Sequence, residues 1–138
     1  MIKSVNLGEE IVITTKNRVG IIADIATMLA NEGVNIESIS GYEIGKTGKI
    51  TMVTNANLRI VGALRKKGYK SVKETEVVIV ELENKPGALK VVTTELKKKR
   101  IDIKYLYVTS SYYGGSSRMV MQTSDNETAM ASLTKYVE

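Results

Sequence analysis

Cysteine and histidine are both absent from the 138 residues, tryptophan and phenylalanine are absent too, and proline occurs once. Without cysteine there is no disulfide, no thiolate nucleophile and no cysteine-based zinc or iron–sulfur site. Without histidine the chain lacks the commonest general base and metal ligand, and any Ser–His pairing. A carboxylate-only magnesium site stays open in principle, but no acidic cluster points to one, so no metal or cofactor is expected. No stretch approaches the roughly 20 apolar residues of a membrane span. The start, Met1-Ile2-Lys3-Ser4-Val5-Asn6-Leu7, has no apolar signal-peptide run. A soluble cytoplasmic protein with no membrane partner is expected.

What is present is an ordinary globular balance, 43% hydrophobic and 25% charged, with a net charge of +5. Split after Glu74, the chain carries 11 basic and 7 acidic residues, then 9 and 8. The densest basic run, Lys97-Lys98-Lys99-Arg100, falls where a helix should end, where cations complement the helix dipole and stay solvated.

The organising feature is self-similarity at an offset of 67 residues. Asn17-Arg18-Val19-Gly20 aligns with Asn84-Lys85-Pro86-Gly87, Leu29 with Leu96, and Val34-Asn35-Ile36 with Ile101-Asp102-Ile103. Ile11-Val12-Ile13 meets Val78-Ile79-Val80, Lys3-Ser4-Val5 meets Lys70-Ser71-Val72, and Met52-Val53 meets Met119-Val120. Two copies of one unit follow, 1–74 and 75–138. Residues 2–6 precede copy one but match 69–73, the strand that copy two lacks at its end. They are therefore expected to complete the second unit's sheet.

Within each copy the periods alternate. β-Branched runs at 11–15 and 77–82 suit buried strands. Helical faces follow at Ile22, Ile25, Ala26 and Leu29, and at Leu89, Val92, Thr93 and Leu96. Pro86 suits a first helical turn. Strand pairs are expected at 34–43 with 49–55 and at 101–112 with 117–123, turning at Gly45 and Gly48 and at Gly114-Gly115. Second helices should bury Leu58, Val61 and Leu64, and Met130, Leu133 and Val137. Ser124 with Glu127 reads as a capping box. Tyr105 and Tyr107 share a strand face with Ile101 and Ile103 and read as packing residues, and Tyr112 and Tyr113 lie near a turn.

The order β-α-β-β-α-β, with Asn84-Lys85-Pro86-Gly87-Ala88-Leu89 opening a helix and then Leu96 and Ile101-Asp102-Ile103, resembles the ACT domain. Copy one departs by Val19 in place of proline but keeps Asn17, Gly20, Leu29 and Val34-Asn35-Ile36. The resemblance implies an α+β fold: two ferredoxin-like units packed side by side, antiparallel sheet with helices on one face. It implies a non-catalytic regulatory module in which an amino acid, bound at the interface of the two units, acts allosterically on a metabolic enzyme. Homo-oligomerisation is also implied. One site would use Asn17 and Gly20 with Asp102, the other Asn84 and Gly87 with Asn35. Helix-start N–H groups suit a carboxylate, glycine lets a ligand approach the backbone, and a carboxamide both donates and accepts.

Plainer readings stand beside these. Asn17 and Asn84 also fit helix-entry caps, Gly20 and Gly87 close packing, and Asn35 and Asp102 solvent-facing strand positions. A ligand-free pairing module is the main alternative function. The same element order describes RNA-recognition motifs, but those stack bases on aromatics in strings such as Lys-Gly-Phe-Gly-Phe-Val. With no phenylalanine and no such string, a nucleic-acid partner is not expected. Gly41-Tyr42-Glu43-Ile44-Gly45-Lys46-Thr47 is one spacer short of a P-loop and joins two strands, where phosphate cradling needs a strand-to-helix turn. Ser110-Ser111 and Ser116-Ser117 have no base partner.

Overall fold

A computed structural model describes residues 1–110 and 115–138. Ser111, Tyr112, Tyr113 and Gly114, on which the expected strand end and turn fall, lie outside the described residues. The elements run β1 (Ile2–Lys16), α1 (Ile21–Asn31), β2 (Ile36–Ile44), β3 (Thr47–Thr54), α2 (Asn57–Lys66), β4 (Ser71–Glu83), α3 (Ala88–Lys98), β5 (Ile103–Ser110), β6 (Ser116–Thr123) and α4 (Asn126–Thr134). The fold is α+β and built from two β-α-β-β-α-β units.

The chain groups into a continuous unit, Glu9–Thr75, and a split unit formed by Met1–Gly8 with Glu76–Glu138. The long strands β1 and β4 each serve both. In the continuous unit the sheet order is β2-β3-β1-β4, with β1 contributing its second half and β4 its first. In the split unit it is β1-β4-β6-β5, with the halves reversed.

Strand alternation builds each core. In the continuous unit Ile11 stands opposite Met52 and Ile13 opposite Ile50. These buried side chains meet Ile21, Ile25 and Leu29 of α1, and Ile60, Val61 and Leu64 of α2. Both helices therefore cover one face. The split unit repeats this with Val78 opposite Met121 and Val80 opposite Met119, under Ala88, Val92 and Leu96 of α3 and Ala129 and Leu133 of α4. Ile2, 1% exposed, belongs to that core, and Met1, Val5 and Leu7 pack against it. The amide of Glu83 donates to the carbonyl of Met1 at 2.9 Å, and that of Glu138 to Ile2 at 3.2 Å.

Several local expectations are corrected. In α1 and α3 the first expected position moves by one residue: Ile21 and Ala88 are buried in place of Ile22 and Leu89, while Ile25, Leu29, Val92 and Leu96 are buried as expected. Leu58 likewise gives way to Ile60, and Val137 lies exposed beyond α4. Pro86 precedes the cap residue Gly87 and does not sit in the first helical turn. Asp125, not Ser124, caps α4, accepting from the Thr128 amide at 3.1 Å. Ser124 Oγ instead accepts from the Asp102 amide at 2.9 Å.

The repeat offset also shifts. The counterpart of Met52 is Met121, so from β3 onward the two copies align 69 residues apart. A conserved device within the chain confirms that register. Thr54 donates through its amide and hydroxyl to Asn57 Oδ1 at 3.0 and 2.7 Å, and Asn57 Nδ2 donates to the Glu9 carbonyl at 2.9 Å. Thr123, Asn126 and Glu76 repeat it at 3.0, 2.7 and 3.1 Å.

Each unit carries an irregularity early in its outer strand, between Ile36 and Ser38 and between Ile103 and Tyr105. One extra residue there reverses which side chains face the helices. Tyr105 and Tyr107 accordingly sit opposite Gln122 and Val120, while Ile103 and Leu106 pack on the core. The tyrosines do not share a face with Ile103.

Candidate functional site

The turn entering α1 is set by Gly20, which adopts φ +89° as the cap residue. Gly87 does the same at φ +90° before α3. Residues with a Cβ rarely hold that conformation. A Cβ on Gly20 would meet nothing within 4 Å, so backbone conformation, not crowding, requires glycine there. Gly20→Ala should therefore cost about 1–2 kcal/mol of stability, read as a lower urea midpoint. An unchanged midpoint would show that the turn relaxes freely.

Neither helix start has a side-chain cap. The Ile21 amide donates instead to the Arg18 carbonyl and the Ala88 amide to the Lys85 carbonyl, each at 3.3 Å, and Asn17 is not a capping residue. Its amide donates to the Lys46 carbonyl at 2.8 Å, fixing the turn against the β2–β3 hairpin. Its side chain Nδ2 donates to the Glu43 carboxylate. Gly48 leaves the space it fills, with Asn17 Oδ1 3.6 Å from where a Cβ would stand.

Beside this pair lies a cavity of about 370 Å³. Ile21 and Ile22 of α1 and Ile39 and Ile50 of the sheet form its apolar walls. Gly41 and Gly48 line it without side chains, and Asn17, Tyr42 and Glu43 supply the polar groups. Tyr42 and Glu43, which the sequence offers only within a rejected P-loop string, and Ile39, which it does not mark, are functional candidates. Nothing in a hairpin sequence marks them until α1 is placed over it.

In the split unit the equivalent turn is pinned by the Asn84 amide, which donates to the Gly115 carbonyl at 3.3 Å. Lys85 pairs with Glu83 at 2.8 Å, which lowers the Glu83 pKa and raises that of Lys85. The Met1 methyl carbon stands 3.5 Å from the position of a Gly87 Cβ.

Asn35 and Asp102 are exposed, and their backbones are clasped: the Asn35 amide donates to Asn55 Oδ1 at 3.2 Å, and the Asp102 amide to Ser124. Within its own unit, Asn35 lies at the opposite end of β2 from Asn17, roughly 30 Å of strand away. The structure thus brings Asn17 together with a cavity and Gly20 with an uncapped helix start. It brings neither into reach of Asn35 within that unit. Among the described residues, no acidic or histidine–cysteine cluster suits a metal ion, and no helix is long and apolar enough to cross a membrane.

Compared with known proteins, residues 10–67 match the family model of the ACT domain. A solved protein of Bacteroides thetaiotaomicron superposes with a TM-score of 0.87 at 21% identity, covering 96% of this chain and 90% of its own. The ligand-free regulatory subunit of aspartate kinase from Thermus thermophilus superposes at 0.69 with 13% identity, over 99% of both chains. Aspartate kinase of Clostridium acetobutylicum, described as an allosteric enzyme, superposes at 0.58 with 17% identity, covering all of this chain and 35% of that enzyme. These likenesses establish the fold. No curated protein matches the sequence.

Proposed function

We propose, from the match of residues 10–67 to the ACT-domain family model, that the chain is a non-catalytic regulatory module that binds an amino acid and controls a metabolic enzyme. The observation that carries this reading is the cavity at the Asn17 turn. An amino acid presents an ammonium, a carboxylate and a side chain. Glu43 suits the ammonium. The second hydrogen of Asn17 Nδ2 and the remaining first-turn N–H groups of α1 suit the carboxylate. The isoleucine walls suit an aliphatic side chain. The resemblance to aspartate kinase regulatory subunits supports the regulatory part of this reading.

Asn84 and Gly87 would form the corresponding turn of the split unit. Completion of the two sites by Asn35 and Asp102, each from the other unit, belongs to the same proposal. A bound ligand would act by favouring one conformational state through its difference in affinity for the two, with a coupling of about 1–3 kcal/mol. A second reading, pairing without a ligand, draws on the exposed Ile39, Tyr42 and Ile44 of β2, the last strand in the continuous unit's order.

A thermal-shift screen against the twenty amino acids at millimolar concentration tests the proposal. A ligand at 100 times its dissociation constant adds about 2.7 kcal/mol, several degrees of Tm for a chain of this size. An aliphatic amino acid should give that shift, and Asn17→Ala and Glu43→Gln should abolish it while the protein stays folded. No shift with any amino acid, or a shift that survives both substitutions, would overturn the assignment and favour the pairing module.

A further inference from the structure

The continuous unit carries a second and larger groove, of about 720 Å³, on which the reading above does not draw. Ile21, Asp24, Met28 and Asn31 recur along α1 at helical spacing and form one wall for some 15 Å. The turn Lys67-Gly68-Tyr69 forms the other, and Arg18 stands at the helix entry.

The charges in this groove do not cancel once their partners are counted. Asp24 is paired with Arg18 at 2.5 Å. Glu32 is held by Arg59, whose Nη2 donates to the Glu32 carbonyl at 2.6 Å and whose Nε lies 4.0 Å from its carboxylate. Lys67 has no acidic partner among the described residues, which leaves one ammonium in excess. Arg18 is positioned in advance by Asp24, whose carboxylate accepts from Arg18 Nη2 at 2.5 Å. A guanidinium has five donors in a planar fork, so one carboxylate partner leaves others for an incoming anion. The Arg18–Asp24 pair is itself half exposed and cheap to open.

We propose that this groove binds a small organic anion, its charged group held by Arg18 and Lys67 and its apolar body lying against Ile21, Met28 and Tyr69. The excess cation selects the charge, and the groove's length selects a molecule larger than a bare inorganic ion.

The test is a proton–nitrogen NMR titration of the whole chain with citrate and, separately, with adenosine 5′-monophosphate. A saturable response at the amides of Arg18, Met28, Lys67 and Tyr69 with either probe is expected. Lys67→Ala should weaken it about tenfold, the worth of one charge-assisted hydrogen bond. Lys66→Ala, which removes an exposed neighbouring lysine outside the groove, should not. No response at these amides with either probe would overturn the proposal, as would equal weakening by the two lysine variants, the signature of general charge screening. The amino-acid response at the Asn17 cavity should survive Lys67→Ala, so failure of one site is distinguishable from failure of the other.

Discussion

Glu10→Gln is expected to raise the melting temperature by several degrees at pH 8 and to leave it nearly unchanged at pH 4. Glu10 sits in β1 with no solvent exposure, and neither carboxylate oxygen has a hydrogen-bond partner among the described residues. Burial pushes its pKa from 4.5 up to about 7, against the pull of Lys49 on the same face of β3. An acid whose pKa is higher folded than unfolded binds its proton more tightly in the native state. Between about pH 4.5 and 7 the unfolded chain has released that proton and the native chain retains it. Stability therefore falls as pH rises through this window, and below it the group makes no difference. The cost at pH 8 is of order 1–3 kcal/mol. Glutamine keeps the shape and removes the charge. Thermal melts from pH 4 to 8 would show the parent losing stability toward high pH and the variant staying flatter. Superimposable profiles would mean that the carboxylate finds water or a partner in solution.

The second large effect falls at the other end of the same strand. Ile2→Ala should cost about 2–4 kcal/mol, the range for a fully buried isoleucine truncated to alanine, because Ile2 lies in the core of the split unit. Ile2→Asp should cost more, since it adds an unpaired buried carboxylate. Amide hydrogen exchange would locate the loss: protection at Val78, Val80 and Met121 should drop before that at Ile11, Ile13 and Met52. Equal protection in the parent and both variants would show that residues 1–8 contribute no stability.

The element order could be read from the residues because it depends on local chemistry, whereas Gly20 and Gly87, which by sequence suit ligand approach or close packing, serve as positive-φ caps. A positive-φ cap before an amphipathic run has few solutions other than glycine. The details that could not be read share a cause: adjacent residues of equal suitability. Ile21 and Ile22 are both isoleucine, so periodicity could not decide which one α1 buries. Ser124 and Asp125 both cap well, and only the approach of Asp102 to Ser124 leaves the capping to Asp125. The shift from an offset of 67 to one of 69 was visible in Thr54-x-x-Asn57 against Thr123-x-x-Asn126. It was obscured because methionine-valine at 52–53 also matches 119–120. The strand irregularities at 36–38 and 103–105 leave no such trace. Glu10 is not marked by the sequence, since burial of a strand's second face depends on what covers it and not on its own alternation.

The insertion of the continuous unit between Gly8 and Glu76 sets an order of events during synthesis. Residues 9–75 emerge as one uninterrupted stretch and can close their core while the rest of the chain is still being made. Residues 1–8, although made before them, have no partner until β4, β6 and α4 arrive, and Ile2 finally pairs with Val137. A strand made ahead of the continuous unit is thus completed only after it. The split unit, with its larger sequence separations, should be the slower to fold. During that interval an apolar strand waits uncovered, which makes the nascent chain, more than the finished protein, the form at risk of mispairing.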